Sequence, residues 1–158
     1  MFSTSSDITF NSLLLIFHYF LQGLIMGLMF STFPLKLKEY FNYSDLGLFY
    51  YCSYPFSFKL IWSPLVDTYY FKSIGLRKTW IILSQIVCGG LLFVLYFNYE
   101  YFMSEKKIYY LAVLSFLIIF CVATQDIAVD ALALTISGKE VSELYMLNIC
   151  DVITYFVY

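Results

Sequence analysis

The sequence contains few charged residues and few groups that could support catalysis. Only 13% of its 158 residues are charged and 61% are hydrophobic, whereas about a quarter of the residues in a soluble domain are charged. It has one histidine, and its four cysteines are scattered singly through apolar segments, without CxxC or metal-ligand spacing. No nucleophile stands at motif spacing from a base, and there is no phosphate-binding loop. We therefore expect no enzyme, no cofactor and no metal site.

The charge balance and the first residues restrict the class of protein further. The formal net charge is −2, which gives no basic surface for nucleic acid. Residues 1–11 are polar and contain no basic residue ahead of the first apolar run. A cleaved signal peptide begins with a basic region. We therefore expect a retained membrane span at this position and no nucleic-acid partner.

Long hydrophobic runs dominate the sequence. About 20 apolar residues in a helix that rises 1.5 Å per residue cross a bilayer core of ~30 Å. The runs predict an all-α transmembrane fold with four full spans and an incomplete fifth, at about residues 12–35, 45–66, 79–97, 108–134 and 144–158. The last run is too short to span comfortably. We therefore expect residues 1–158 to form a single partial membrane domain, a fragment of a longer protein.

The first predicted helix has two distinguishable faces. His18 and Gln22 lie one turn apart on one face, and Gly23 and Gly27 form a G-x-x-x-G pair roughly opposite. The glycines predict close packing of a neighbouring helix. The two polar residues are candidates either to line a cavity or to hydrogen-bond another helix.

The second run contains a lysine inside an apolar stretch. Pro55 and Pro64 each remove a backbone donor and should kink the helix. Lys59 lies between them, and its ammonium must snorkel toward Asp67, face water, or pair with an acid. It is therefore a candidate for a substrate pathway or a charge network. Its expected first-choice partners are Asp126 and Asp130.

The loop after this run places an acid before paired basic residues. Asp67 comes at the end of the second run, and Arg77 and Lys78 stand just before the third. This arrangement predicts a gating contact that holds two helix ends together, although basic residues at the ends of spans are common. Lys72, in the middle of the loop, is expected to be solvated.

The fourth run ends in two carboxylates. Asp126 and Asp130 are four residues apart and share a helix face, and Gln125 lies ~100° to one side as a candidate cavity residue. Both acids could sit solvated at the membrane edge. Because a buried charge is costly in a membrane, a charge or hydrogen-bond network at the helix end is the better interpretation. A proton-binding role would require burial that raises a carboxylate pKa.

Four motifs together resemble the acetyl-coenzyme A transporter family of the major facilitator superfamily. They are residues 123–130 (ATQDIAVD), 54–67 (YPFSFKLIWSPLVD), 75–80 (GLRKTW) and 21–23 (LQG). The resemblance implies a protein of about a dozen helices in two halves, which moves acetyl-coenzyme A from the cytosol into the lumen of the endoplasmic reticulum. It also implies that the amino terminus is cytosolic. The basic residues lie equally on both sides of the predicted topology, so their charge does not choose an orientation.

On this resemblance, the chain is the partial amino-terminal half of the bundle. Its expected partners are acetyl-coenzyme A as substrate, the lipid bilayer, and the missing carboxyl-terminal half. Two alternatives stay open. One is a permease of the muropeptide type, whose family resembles the same motifs. The other is a truncated membrane fragment that transports nothing.

Overall fold

The computed structural model describes the backbone of residues 5–69 and 75–157 and the side chains of residues 13–69 and 75–135. Within these residues every regular element is helical. In chain order they are α1 (Ser5–Gly27), a π-helical turn (Leu28–Thr32), α2 (Phe33–Leu37), α3 (Tyr43–Phe49), a 3-10 turn (Tyr50–Ser53), α4 (Tyr54–Ser57), a second 3-10 turn (Lys59–Ile61), α5 (Ser63–Thr68), α6 (Leu76–Ser104) and α7 (Ile108–Val157). The expected all-α class is confirmed for the part of the chain described, whereas Lys72 lies outside it.

Three helical stretches are long and apolar enough to cross a membrane among the residues described: Leu13–Leu37, Leu76–Ser104 and Ile108–Thr135. The first of them contains the π-helical turn. A proline ring clashes with the carbonyl four residues earlier and removes one hydrogen bond, and Pro34 lies just after this turn. A widened turn accommodates such a ring, so the helix continues to Leu37.

The expected second span at residues 45–66 is not one continuous helix. The structure divides it into α3, α4, α5 and the two 3-10 turns between them. Pro55 and Pro64 each stand in the first turn of a new short helix, where a missing N–H costs little. Phe58 (φ −103°, ψ 11°) and Trp62 (φ −104°, ψ 1°) leave the helical conformation. The prolines therefore break this segment rather than only kinking it.

The prediction that a fourth and a fifth helix are separated by a break is wrong, because the backbone forms one continuous helix there. One helix, α7, runs from Ile108 to Val157 through the polar residues around Gly138. A glycine inside a helix costs only about 1 kcal/mol, and no proline interrupts the sequence between residues 108 and 157. The side chains of the expected fifth span, 144–158, lie outside the described residues.

The helix α7 is the centre of the bundle. In its most apolar stretch 67% of the residues are buried, against 22% in each of the other two candidate spans. It packs against both α1 and α6. It is antiparallel to α6, to which a short turn joins it, and to α1, because Tyr19 contacts Asp130 whereas Gln22 contacts Asp126. The bundle therefore has an Asp67 end, where α6 begins, and an opposite end, where α6 stops.

The apolar core is divided into two clusters along the bundle axis. The cluster toward the opposite end includes Met29, Phe49 and Ile118. The cluster toward the Asp67 end includes Leu15, Val66 and Val129. Along α1, α6 and α7, buried polar or charged residues stand between the residues of one cluster and those of the other. These include Gln22 on α1, Ser84 on α6, and Thr124, Gln125 and Asp126 on α7.

Candidate functional site

The layer between the two apolar clusters contains an ion pair. The Lys59 ammonium donates to Asp126 Oδ2, joining the second 3-10 turn to α7. Its Nζ also lies 4.0 Å from Asp130 Oδ2 and 4.8 Å from the centre of the Phe56 ring. Asp126 is 6% exposed. The ammonium therefore faces α7 and an aromatic ring rather than snorkelling toward Asp67.

Two side chains of α1 complete the contacts of the carboxylates. The Gln22 amide N–H donates to Asp126 Oδ1, and the Tyr19 hydroxyl donates to Asp130 Oδ1 at 2.7 Å. We call Tyr19, Gln22, Lys59, Asp126 and Asp130 the charge layer. Three segments of the chain thus meet through charge-assisted hydrogen bonds, which are stronger than those between neutral groups.

Asp126 and Asp130 both belong to the stretch Ile108–Thr135, which is long and apolar enough to cross a membrane. A buried ion pair is weakly stabilising in itself, but removal of one partner leaves an uncompensated charge. The layer therefore holds its members in one arrangement more than it adds net stability.

The backbone around Lys59 is as unusual as its side chain. Lys59 opens a single 3-10 turn between two residues outside the helical conformation. Non-helical backbone at membrane depth occurs where it is buried in protein or lines a water-filled cavity. Lys59 therefore contacts α7 from an irregular part of the backbone, the 3-10 turn Lys59–Ile61, and not from a regular helix.

A second contact between charged residues lies at the Asp67 end. Arg77 Nη1 is 3.7 Å from Asp67 Oδ1, so the acid in the last turn of α5 meets the first turn of α6. The Trp80 indole N–H donates to the Tyr69 carbonyl at 2.7 Å, which ties the same two elements. Gly75 precedes α6 with φ 98°, a conformation open mainly to glycine. The end of α5 and the start of α6, which the sequence predicts to be held together by Asp67 and Arg77, are therefore in contact.

Other residues singled out from the sequence lie away from these two groups. His18 Nδ1 donates to the Leu14 carbonyl of its own helix at 2.7 Å. His18 and the exposed Lys78 line a separate cavity. Gly23 and Gly27 are half-buried on α1, and Gln125 is buried beside Asp126. Their functional roles remain predictions.

Tyr19 is the member of the charge layer that sequence reasoning missed. The chain has 16 tyrosines, so one more in an apolar helix carries no signal by itself. The spacing of Tyr19 was a usable signal, because Tyr19 precedes Gln22 by three residues and therefore lies on a neighbouring part of the same helix face.

Comparison with known proteins matches the chain to a family. The model for the family described as Acetyl-coenzyme A transporter 1 matches residues 11–154. An uncharacterized protein of Schizosaccharomyces pombe is 39% identical over 132 residues, which cover 82% of this chain and 25% of that protein. An uncharacterized membrane protein of Saccharomyces cerevisiae is 37% identical over 147 residues, which cover 80% of this chain and 26% of that protein. The anhydromuropeptide permease of Escherichia coli is 31% identical over 122 residues, which cover 77% of this chain and 24% of that protein. No solved structure gives a significant match.

The apolar helices, with a charge layer buried between them, define an integral membrane protein. The chain belongs to the acetyl-coenzyme A transporter family. The resemblance seen in its motifs is therefore confirmed, together with the relation to permeases of the muropeptide type. The chain spans about a quarter of the length of the curated relatives it matches.

Proposed function

We propose that the chain is part of a transporter that moves acetyl-coenzyme A from the cytosol into the lumen of the endoplasmic reticulum. The observation that carries this proposal is the family match over residues 11–154. The buried charge layer supports it, because ionisable residues inside membrane spans mark pathways or the contacts that organise them. The proposed site of action is the membrane of the endoplasmic reticulum.

We further propose that the chain forms part of the amino-terminal half of a twelve-helix bundle of the major facilitator type. Helices α1 and α6 run parallel, because both are antiparallel to α7. The chain leaves α2 at the opposite end and enters α6 at the Asp67 end, so residues 43–68 have to cross between the two ends. This direction supports a crossing segment despite its breaks. In the same scheme the end of α7 belongs to a further span.

The charge of the layer suggests how its residues divide their roles. The layer contains one ammonium and two carboxyl groups, so its acidic groups outnumber its basic one, which does not favour a large polyanion such as acetyl-coenzyme A. Lys59 is therefore better suited to organising helices than to binding substrate. Gln22 Oε1 is buried and has no hydrogen-bond partner among the described residues. It is the better candidate to accept a hydrogen bond from a substrate.

The test uses the full-length protein in proteoliposomes and labelled acetyl-coenzyme A. We expect uptake well above that of empty liposomes, and uptake no better than empty liposomes would overturn the proposal. Lys59→Met should abolish uptake while insertion stays normal, and Lys38→Met, which removes an exposed lysine at the opposite end, should not. Unchanged transport by Lys59→Met would exclude a role for the charge layer.

A muropeptide permease is the second candidate. The 31% identity to the Escherichia coli anhydromuropeptide permease favours it. A parallel assay with labelled anhydromuropeptide separates the two candidates, because each predicts uptake of one substrate and not of the other. A folded full-length protein that takes up neither substrate would contradict both candidates.

A further inference from the structure

A cavity of about 180 Å³ lies between α1, α6 and α7, apart from the charge layer. Six aliphatic side chains form most of its wall, including Leu14 and Ile82. Three polar residues, His18, Lys78 and Gln85, also line it. Neither the gating contact nor the charge layer uses any of the three. The cavity thus brings together His18 and Lys78, which the sequence suggested for different roles.

The cavity is open on one side of the described helices. Leu14 is 43% and Ile82 is 45% exposed, so its rim lies on the surface of the described part of the chain. Lys78 is the third residue of α6 and is itself exposed, which places its ammonium at the level of lipid headgroups at the Asp67 end. The described helices therefore leave this side of the cavity open to a lipid molecule.

The polar side of the cavity offers hydrogen-bond donors and positive charge. Lys78 makes no ion pair with any described residue, whereas its neighbour Arg77 is matched by Asp67. The Leu14 carbonyl can only accept, so His18 Nδ1 donates to it and this bond fixes the imidazole ring beside the cavity. The amide of Gln85 provides two further N–H groups. This set of groups complements a phosphate.

We propose that an acidic phospholipid binds at this site. An acyl chain fills the aliphatic cavity, and the Lys78 ammonium pairs with the phosphate of the headgroup. A volume of about 180 Å³ is below the ~300–1,000 Å³ of pockets that enclose a whole small molecule, so it suits one part of a larger amphiphile. Basic pockets between membrane helices are known to bind acidic headgroups. This site is independent of the substrate that the protein transports.

A tryptophan introduced on the cavity rim provides a local probe of lipid binding. The two tryptophans of the chain, Trp62 and Trp80, are replaced by phenylalanine, and Leu14→Trp places one probe at a residue that lines the cavity and is 43% exposed. The full chain is reconstituted in phosphatidylcholine vesicles that contain either brominated phosphatidylglycerol or brominated phosphatidylcholine. We expect phosphatidylglycerol to quench this tryptophan more strongly at equal content. Equal quenching by the two lipids would overturn the proposal.

A pair of lysine variants tests which charge the lipid recognises. Lys78→Gln should lower the preference for phosphatidylglycerol about fivefold, which corresponds to the ~1 kcal/mol that one basic residue contributes near an anionic surface. Lys38→Gln, at the opposite end, should leave the preference unchanged. An equal loss in both variants would show general attraction to a charged membrane and would contradict a site.

A cavity-filling variant and a soluble competitor test the two parts of the lipid separately. Ile82→Phe fills the cavity and keeps every charge, and it should reduce quenching by phosphatidylglycerol. This variant also keeps the proposal testable if Lys78→Gln does not fold, and undiminished quenching would refute the acyl-chain site. Soluble glycerophosphate should not compete with the lipid. Full competition would identify a free-anion site and overturn the proposal of a lipid.

Discussion

Lys59 and Asp126 lie 67 positions apart in the sequence and form an ion pair between a broken helical segment and α7. The pair lies between two apolar clusters, and α1 closes it through Gln22. A charged contact that joins three segments fixes their relative height in the membrane. Its position suits an element that keeps helices in register while a transporter changes shape.

Removal of the Lys59 charge should destabilise the protein, and a second change should restore much of the loss. Lys59→Met leaves two carboxylates without their ammonium, and breaking a buried pair typically costs about 3–5 kcal/mol. Lys59→Met with Asp126→Asn leaves one carboxyl group, so the excess of acidic over basic groups returns to one. Thermal unfolding of the purified chain in detergent measures both. A double variant no more stable than Lys59→Met would contradict the charge layer.

Tyr19→Phe should weaken the hold of α1 on α7. It removes the hydroxyl that donates to Asp130, and a hydrogen bond to a charged group contributes about 1.5–3 kcal/mol. Tyr43→Phe is the matched control, because Tyr43 is 83% exposed. The same unfolding assay should show a loss for Tyr19→Phe alone, and equal stabilities would refute the contact.

The Asp67–Arg77 pair should matter more for transport than for stability. Both side chains are partly exposed, and such pairs are worth about 0–1 kcal/mol. Arg77→Gln should therefore change unfolding little but reduce uptake by the full-length protein. Lys36→Gln, which breaks an exposed pair with Glu39, should leave uptake unchanged. Equal uptake by the two variants would exclude a gating role.

Gly75→Ala and Gly47→Ala should have opposite effects on stability. A Cβ at either position meets nothing within 4 Å, so packing does not distinguish them. Gly75 has φ 98°, which a side chain adopts at a cost of about 1–3 kcal/mol. Gly47 lies in α3, where alanine is favoured by about 0.5–1 kcal/mol. Unfolding midpoints that shift in the same direction would contradict the role of backbone conformation at Gly75.

The sequence was sufficient for three of the four full spans that it predicted and for part of the charge layer. Hydropathy located these three because lipid selects long apolar runs, and the cost of buried charge led from Lys59 to Asp126 and Asp130 as partners. It did not find the break around Lys59. Two prolines predict that a helix is distorted, but neighbouring contacts determine whether it bends or ends. The ends of α6 extended beyond the expected 79–97 because hydropathy marks the apolar part of a helix and not its termini.

Two further outcomes depended on context that local patterns do not contain. Gly138 stands among polar residues and predicts a break, yet the backbone of α7 continues because one glycine costs a helix little. His18 shares a helix face with Gln22, but it lies beside Lys78 at another cavity. A helix face is wide enough to contact two different neighbours, and only the packed bundle decides which residue meets which.

The long sequence separation within the charge layer has a consequence for biogenesis. Gln22 and Asp126 are 104 residues apart, and Tyr19 and Asp130 are 111 apart. At a synthesis rate of about 5–20 residues per second, α1 waits roughly 5–20 s in the membrane before its acidic partners emerge from the ribosome. Lys59 also waits for Asp126. The nascent protein therefore passes through a stage with unpaired polar groups in lipid, when chaperones and quality control can recognise it, and the synthesis of α7 ends that stage.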